Sequence, residues 1–173
     1  VKLIETKTLT VAAATIVFTS IPQDGTDLVV IGSSRTNRAN TVNDPFLVRP
    51  NGSSANGAAR RLVGNGSLAS SFTDTYIFGG EGSTTSQTSN VFGNSLCYIA
   101  NYTSSRNKSF SSDGVAENNA TSAGQMISAG LWSNTAAITS LTFLPESGTQ
   151  FEIGTTISLY KITSGSDGIV TVA

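Results

Sequence analysis

Six Asn-Gly or Asp-Gly pairs punctuate this chain, at 51–52, 56–57, 65–66, 24–25, 113–114 and 167–168. Such dipeptides tolerate positive φ and favour the tight turns that reverse antiparallel strands. Between them lie short apolar runs rich in β-branched and aromatic residues: Thr15-Ile16-Val17-Phe18, Leu28-Val29-Val30-Ile31, Leu96-Cys97-Tyr98-Ile99, Leu141-Thr142-Phe143-Leu144 and Ile157-Ser158-Leu159-Tyr160. Short strands joined by turns at this density predict an all-β fold, an antiparallel, jelly-roll-like β-sandwich. At 173 residues the chain suits one domain. Residues 1–173 read as a single module with its core at about 14–162, a short N-terminal strand and a C-terminal tail.

Candidate strands are 2–10, 14–20, 27–34, 44–49, 60–63, 70–78, 95–103, 107–111, 127–132, 136–144, 150–153 and 155–162. At most a turn or two of helix is expected over 115–127, where Asn, Thr, Ser and Gly interrupt Ala and Glu. Two segments read as long loops, Gly79 to Asn90 and Ser112 to Ala123, with Gly79-Gly80-Glu81-Gly82 taken as turn residues. The run Leu28-Val29-Val30-Ile31 is apolar on both faces, although a sandwich strand needs only one buried face. Its second face calls for cover by a loop or another subunit.

Composition removes much of the usual catalytic equipment. Histidine is absent, cysteine occurs once and only 12% of residues are charged. A Ser-His-Asp triad, a histidine-ligated zinc site and an intrachain disulfide are therefore excluded, and no cofactor is expected. Ser, Thr, Asn and Gly make up a little under half of the chain, while the net charge is only −1. Disordered chains usually combine low hydrophobicity with high net charge, so this balance fits a folded, neutral surface. It offers no electrostatic case for nucleic acid, and no segment has the length of a membrane span. The N-terminus, interrupted by Glu5 and Lys7, reads as mature sequence rather than a signal peptide.

Five of the six arginines, Arg35, Arg38, Arg49, Arg60 and Arg61, fall in one stretch. They form either a basic patch facing an acidic partner or a set of solvated strand ends. Tyr76, Tyr98, Tyr102, Trp132 and Phe46 are the aromatic candidates for sugar stacking or interface anchoring, the alternative being core. Asp24 and Asp27 are close enough to share a calcium ion, or to cap a turn. No pair of acidic residues stands out as a glycosidase pair. Asn-X-Ser/Thr sequons at Asn51, Asn65, Asn101, Asn107 and Asn119 are what such a composition produces by chance.

Several segments resemble a module of tailed-bacteriophage virion proteins. The stretch Phe18-Thr19-Ser20-Ile21-Pro22-Gln23-Asp24-Gly25-Thr26-Asp27-Leu28 is similar to its F-x-x-I-P-Q-x-x-T-D-L signature. Pro50-Asn51-Gly52-Ser53-Ser54 resembles its F-N-G-D/S-S turn, with Pro50 in place of the aromatic. Trp132, Ala137-Ile138-Thr139 and Phe151-Glu152-Ile153-Gly154-Thr155 through Leu159-Tyr160-Lys161-Ile162 resemble its closing pattern, with Thr155 where Ser is frequent.

The resemblance implies a virion β-sandwich without enzymatic activity. Because the module fills nearly the whole chain, with no long shaft, the expectation is a capsid decoration protein at the capsid surface, made in the host cytoplasm. Its expected partners are the major capsid protein or other virion proteins and further copies of itself, as a homotrimer. The alternative is a tail-fibre or tail-tip module that binds a host-surface glycan; a polysaccharide depolymerase stands third. The candidate interface residues are Leu28, Val30, Arg35, Arg38, Arg49, Arg60, Arg61 and Trp132. The N-terminal strand and the tail from Gly168 to Ala173 are candidate edges for pairing with a neighbour.

Overall fold

A computed structural model describes residues 1–118 and 123–163. The described residues form twelve strands and no helix. These are β1 (Lys2–Thr8), β2 (Ile16–Phe18), β3 (Asp27–Thr36), β4 (Asn43–Pro50), β5 (Gly57–Gly64) and β6 (Ala69–Asp74). They are followed by β7 (Phe78–Thr84), β8 (Gly93–Ile99), β9 (Lys108–Ala116), β10 (Gly124–Trp132), β11 (Leu141–Pro145) and β12 (Thr156–Ile162).

The strands build the expected all-β sandwich, in two unequal layers. One layer runs β1-β12-β3-β8-β9-β10-β5-β6 and is antiparallel throughout. The other runs β2-β11-β4-β7, also antiparallel. They join where the end of β3 lies parallel to β7, at Arg35 with Ser83 and Thr36 with Thr84. β3 therefore belongs to both layers, which makes the ladder continuous.

Strand alternation fills the core. Leu28 and Val30 of β3, Cys97 and Ile99 of β8, and Ile157 and Leu159 of β12 point inward from the larger layer. Phe18, Phe46, Val48, Leu141 and Phe143 meet them from the smaller one. Phe143 is packed edge-on against both Phe18 and Phe46, with ring centroids 5.9 and 6.0 Å apart, a favoured aromatic geometry. A second cluster, of Leu47, Ala59, Phe78 and Met126, lies on the opposite face of β4, under β5 and β10.

The structure corrects the expected loops. Gly79-Gly80-Glu81-Gly82 is not a turn: it lies within β7, whose seven residues are all buried. The glycines serve close approach. A Cβ on Gly80, where φ is +152°, would sit 2.2 Å from the Ser95 Cβ, and one on Gly114 would sit 2.4 Å from the Glu81 nitrogen. β7 thus nests directly on β8 and β9, at a distance that side chains would prevent. For the same reason Asp113-Gly114 is mid-strand in β9 rather than a turn.

β9 and β10 extend toward each other until Ala116 pairs with Gly124, so only 117–123 of the expected loop connects them. Residues 119–122, including the Asn119 sequon, and the tail with Asp167-Gly168 lie outside the described residues. The strand expected at 70–78 is divided between β6 and β7. That expected at 136–144 starts only at Leu141, and 150–153 contributes single bridges at Phe151.

Candidate functional site

Part of the virion-like motifs, from Ile21 to Asp27 with Asn51, Ala137 to Thr139 and Ile162, meets at one end of the sandwich, where β2 leads into β3, whereas Phe151 to Thr155 lies at the other end of β3, against Arg35 and Thr36. Ile21 is buried, and its amide donates to the Thr139 carbonyl at 3.0 Å. Gln23 Nε2 bridges the carbonyls of Ile21 and Ile138, at 2.8 and 3.0 Å. Thr26 reaches the last residue of β12: its amide and its hydroxyl both donate to the Ile162 carbonyl, at 2.8 and 3.1 Å. Asp27 Oδ1 accepts from the Asn101 amide at 2.7 Å.

Tyr102 fills the centre of this knot. Its ring is fully buried, its hydroxyl donates to the Pro22 carbonyl, and the Gly25 amide donates to the hydroxyl at 3.2 Å. Asn51, from the Pro50–Ser54 turn, clamps the next loop by accepting from the amides of Thr139 and Ser140 and donating to the Ala137 carbonyl. Five separated segments, at 21–27, 51, 101–102, 137–140 and 162, are thereby tied together by hydrogen bonds. These motif residues hold connections between strands.

The five clustered arginines do not form one patch. Arg35 is 8% exposed and donates to the carbonyls of Thr88, Val91 and Gln87, fastening the segment after β7. Arg38 reaches Asp44 Oδ1 at 3.4 Å. Arg49 is half-buried on β4. Arg60 and Arg61 point to opposite faces of β5, as neighbours in a strand must. Arg60 is exposed, whereas Arg61 stacks over Phe78 and Phe72 and pairs with Asp74 at 3.0 Å and Glu146 at 3.2 Å.

Leu28, Val30 and Trp132, proposed from sequence as interface residues, lie in the chain's own core. Phe46 and Tyr102 are core as well, which leaves Tyr76 and Tyr98 as the exposed aromatics of the candidate set. Asp24 is paired with Lys161, and among the described residues no three acidic or cysteine side chains gather where they could hold a metal.

Sequence reasoning missed the buried polar centre between the layers. Glu81 of β7 is completely buried, and among the described residues its carboxylate has no well-formed hydrogen bond, only the approach of the Asn43 side chain. Burial pushes its carboxyl up to about 8; the Asn43 side chain and Arg61 favour the anion, while Asp44 and Glu146 oppose it. Buried Asp44, by contrast, accepts from Thr36 Oγ1 and the amides of Ser147 and Gly148. A general acid must touch substrate, and Glu81 is sealed from any. Its role is internal.

The exposed feature is the outer face of the larger layer. Paired residues lie on the same face, so the ladder Ile31–Leu96–Asp113–Ile127–Leu62 is one row across β3, β8, β9, β10 and β5. Beside it runs Val29–Tyr98–Ser111–Ala129–Arg60. Ile31 is 43% exposed and Ile127 64%. A groove of about 600 Å³ lies along β9, β10 and β5, lined by Leu62, Val115 and Ile127 with Asp113 and Gln125. The signal was present in sequence as the two-faced run at 28–31: Leu28 and Val30 face the core, while Ile31 remains open. No family model, curated protein or solved structure matches this chain.

Proposed function

We propose that the chain is a non-enzymatic structural protein of a tailed-bacteriophage virion, most simply a decoration protein that binds the capsid shell. The observation that carries this reading is the knot at the β2–β3 connection. The segments that resemble the virion module are dispersed in sequence, yet Gln23 bonds Ile21 and Ile138, Thr26 bonds Ile162, and Asn51 bonds Ala137, Thr139 and Ser140. Interlocked residues are those a shared fold would have to keep.

The outer face of the larger layer supplies the contact surface. Its two central rows are apolar or hydroxyl-bearing apart from Asp113 and Arg60, which suits docking to a protein shell better than to a polyanion. Mass spectrometry of purified capsids and immunogold labelling of whole particles test the proposal. Label over the head in many copies is expected. Label confined to the tail supports the tail-tip alternative, for which Tyr98 on the outer face is the exposed aromatic, and absence from the particle rejects both.

A further inference from the structure

Three strands have a single neighbour among the described residues: β1, β2 and β6. An unpaired edge invites another strand, and folded proteins guard such edges with charge, bulges or brevity. β1 carries Lys2, Glu5 and Lys7 and has an irregularity between Leu3 and Glu5. β2 is only three residues long. β6, Ala-Ser-Ser-Phe-Thr-Asp, has none of these protections: its register with β5 is regular, it has no Pro or Lys, and Asp74, its one charge, is held by Arg61 at 3.0 Å.

We propose that β6 is a self-pairing edge, through which two copies of this chain join antiparallel about a two-fold axis and continue the larger layer from one copy into the other. A second copy fits because the strand is complementary to itself. With Phe72 on the axis, Asp74 of one copy comes opposite Ser70 of the other, so like charges do not meet. Leu68 of one copy comes level with Tyr76 of the other. Leu68, Phe72 and Tyr76 are 72%, 44% and 49% exposed, a concentration of apolar side chains along this one edge. An isologous contact of this kind closes on itself and leaves no free β6 edge.

The proposal stands apart from the virion reading, which capsid labelling tests. It also differs from the expected trimer, since antiparallel pairing of one edge with itself closes at two copies.

Size-exclusion chromatography with light scattering on the full chain, across micromolar concentrations, is expected to give a two-copy mass. Ser71→Lys guards the exposed edge without removing a β5 backbone group, and is expected to weaken association at least tenfold with an unchanged melting temperature. Oxidation of Phe72→Cys is expected to link two copies, whereas Ser109→Cys on the outer face of β9 is not. Native Cys97 will not compete, being fully buried with its thiol pushed up to about 12. A one-copy or three-copy mass overturns the proposal, as does a two-copy mass that Ser71→Lys leaves unchanged. Protection of the β6 amides from exchange only when a different protein is added overturns it in favour of that partner.

Discussion

The hydroxyl of Ser95 serves both backbone groups of Glu81: it accepts from the Glu81 amide at 2.9 Å and donates to the Glu81 carbonyl at 2.8 Å. β7 lies across β8 at this point, with no side chain on Gly80 to hold the strands apart. Ser95→Ala strands two buried backbone groups at once. Each costs about 1–3 kcal/mol, so a loss of about 2–6 kcal/mol in urea unfolding is expected. A loss below about 1 kcal/mol would mean that another group replaces the hydroxyl.

Glu81 makes stability depend on pH. Its folded-state carboxyl titrates at about 8 against an ordinary 4.5. Between those values the folded chain holds a proton that the unfolded chain has released. Stability therefore falls as pH rises through this window, by up to about 5 kcal/mol, and levels off above it. Burial raises the Glu146 carboxyl too, against the pull of Arg61, and so acts in the same direction. Glu81→Gln keeps a neutral group of similar shape. Denaturation midpoints at about pH 5, 7 and 9 should decline for the parent chain and decline much less for the variant. Parallel curves would assign the pH dependence elsewhere.

Arg61 neutralises Asp74 and Glu146 while its guanidinium plane lies 4.4 Å from the Phe78 ring centroid. A lysine keeps the charge but neither the planar stack nor the fork that reaches two carboxylates. Arg61→Lys is expected to cost about 1–2 kcal/mol and Arg61→Ala about 3 kcal/mol or more, since alanine leaves both carboxylates without their cation. Equal losses from the two variants would show that the charge contributes little.

The aromatic residues divide by burial. Trp132 is in the core, so Trp132→Ala should cost about 3–5 kcal/mol. Tyr98→Ala, on the outer face, should stay within about 0.5 kcal/mol. Any loss of particle or host binding by Trp132→Ala would then follow unfolding. The same loss by Tyr98→Ala at full stability would place the contact on the outer face.

Local chemistry made much of this fold legible and left its centre hidden. The alternation in Leu28-Val29-Val30-Ile31 identified a strand with two apolar faces because side-chain direction in a strand is a local property. The position of β7 is not local. Gly79-Gly80-Glu81-Gly82 has the composition of a turn, and only the approach of Phe46, Ser95 and Gly114 from other strands makes those glycines a buried strand. For the arginines the sequence left one patch or separate sites open, and strand geometry decides between them. Closeness in sequence put Arg60 beside Arg61, and the strand then sent them to opposite faces. Glu81 was hidden because its burial depends on β7 being covered from both sides.

The two kinds of glycine pair in this chain respond differently to the same substitution. Gly52, in the Asn51-Gly52 turn, has φ +70° and no neighbour within 4 Å of an added Cβ. Gly52→Ala should cost about 1 kcal/mol, the backbone penalty alone. Gly114 has the same type of partner in sequence, Asp113, but an added Cβ would lie 2.4 Å from the Glu81 nitrogen and 2.6 Å from its Cβ. Those atoms belong to a buried strand and cannot swing aside, so Gly114→Ala must push β7 off β9 and disturb the Ser95 bonds beside it. A loss of about 3 kcal/mol or more is expected, with faster amide exchange in β7. Equal, small losses at both glycines would show that β7 does not rest on β9 as closely as the geometry requires.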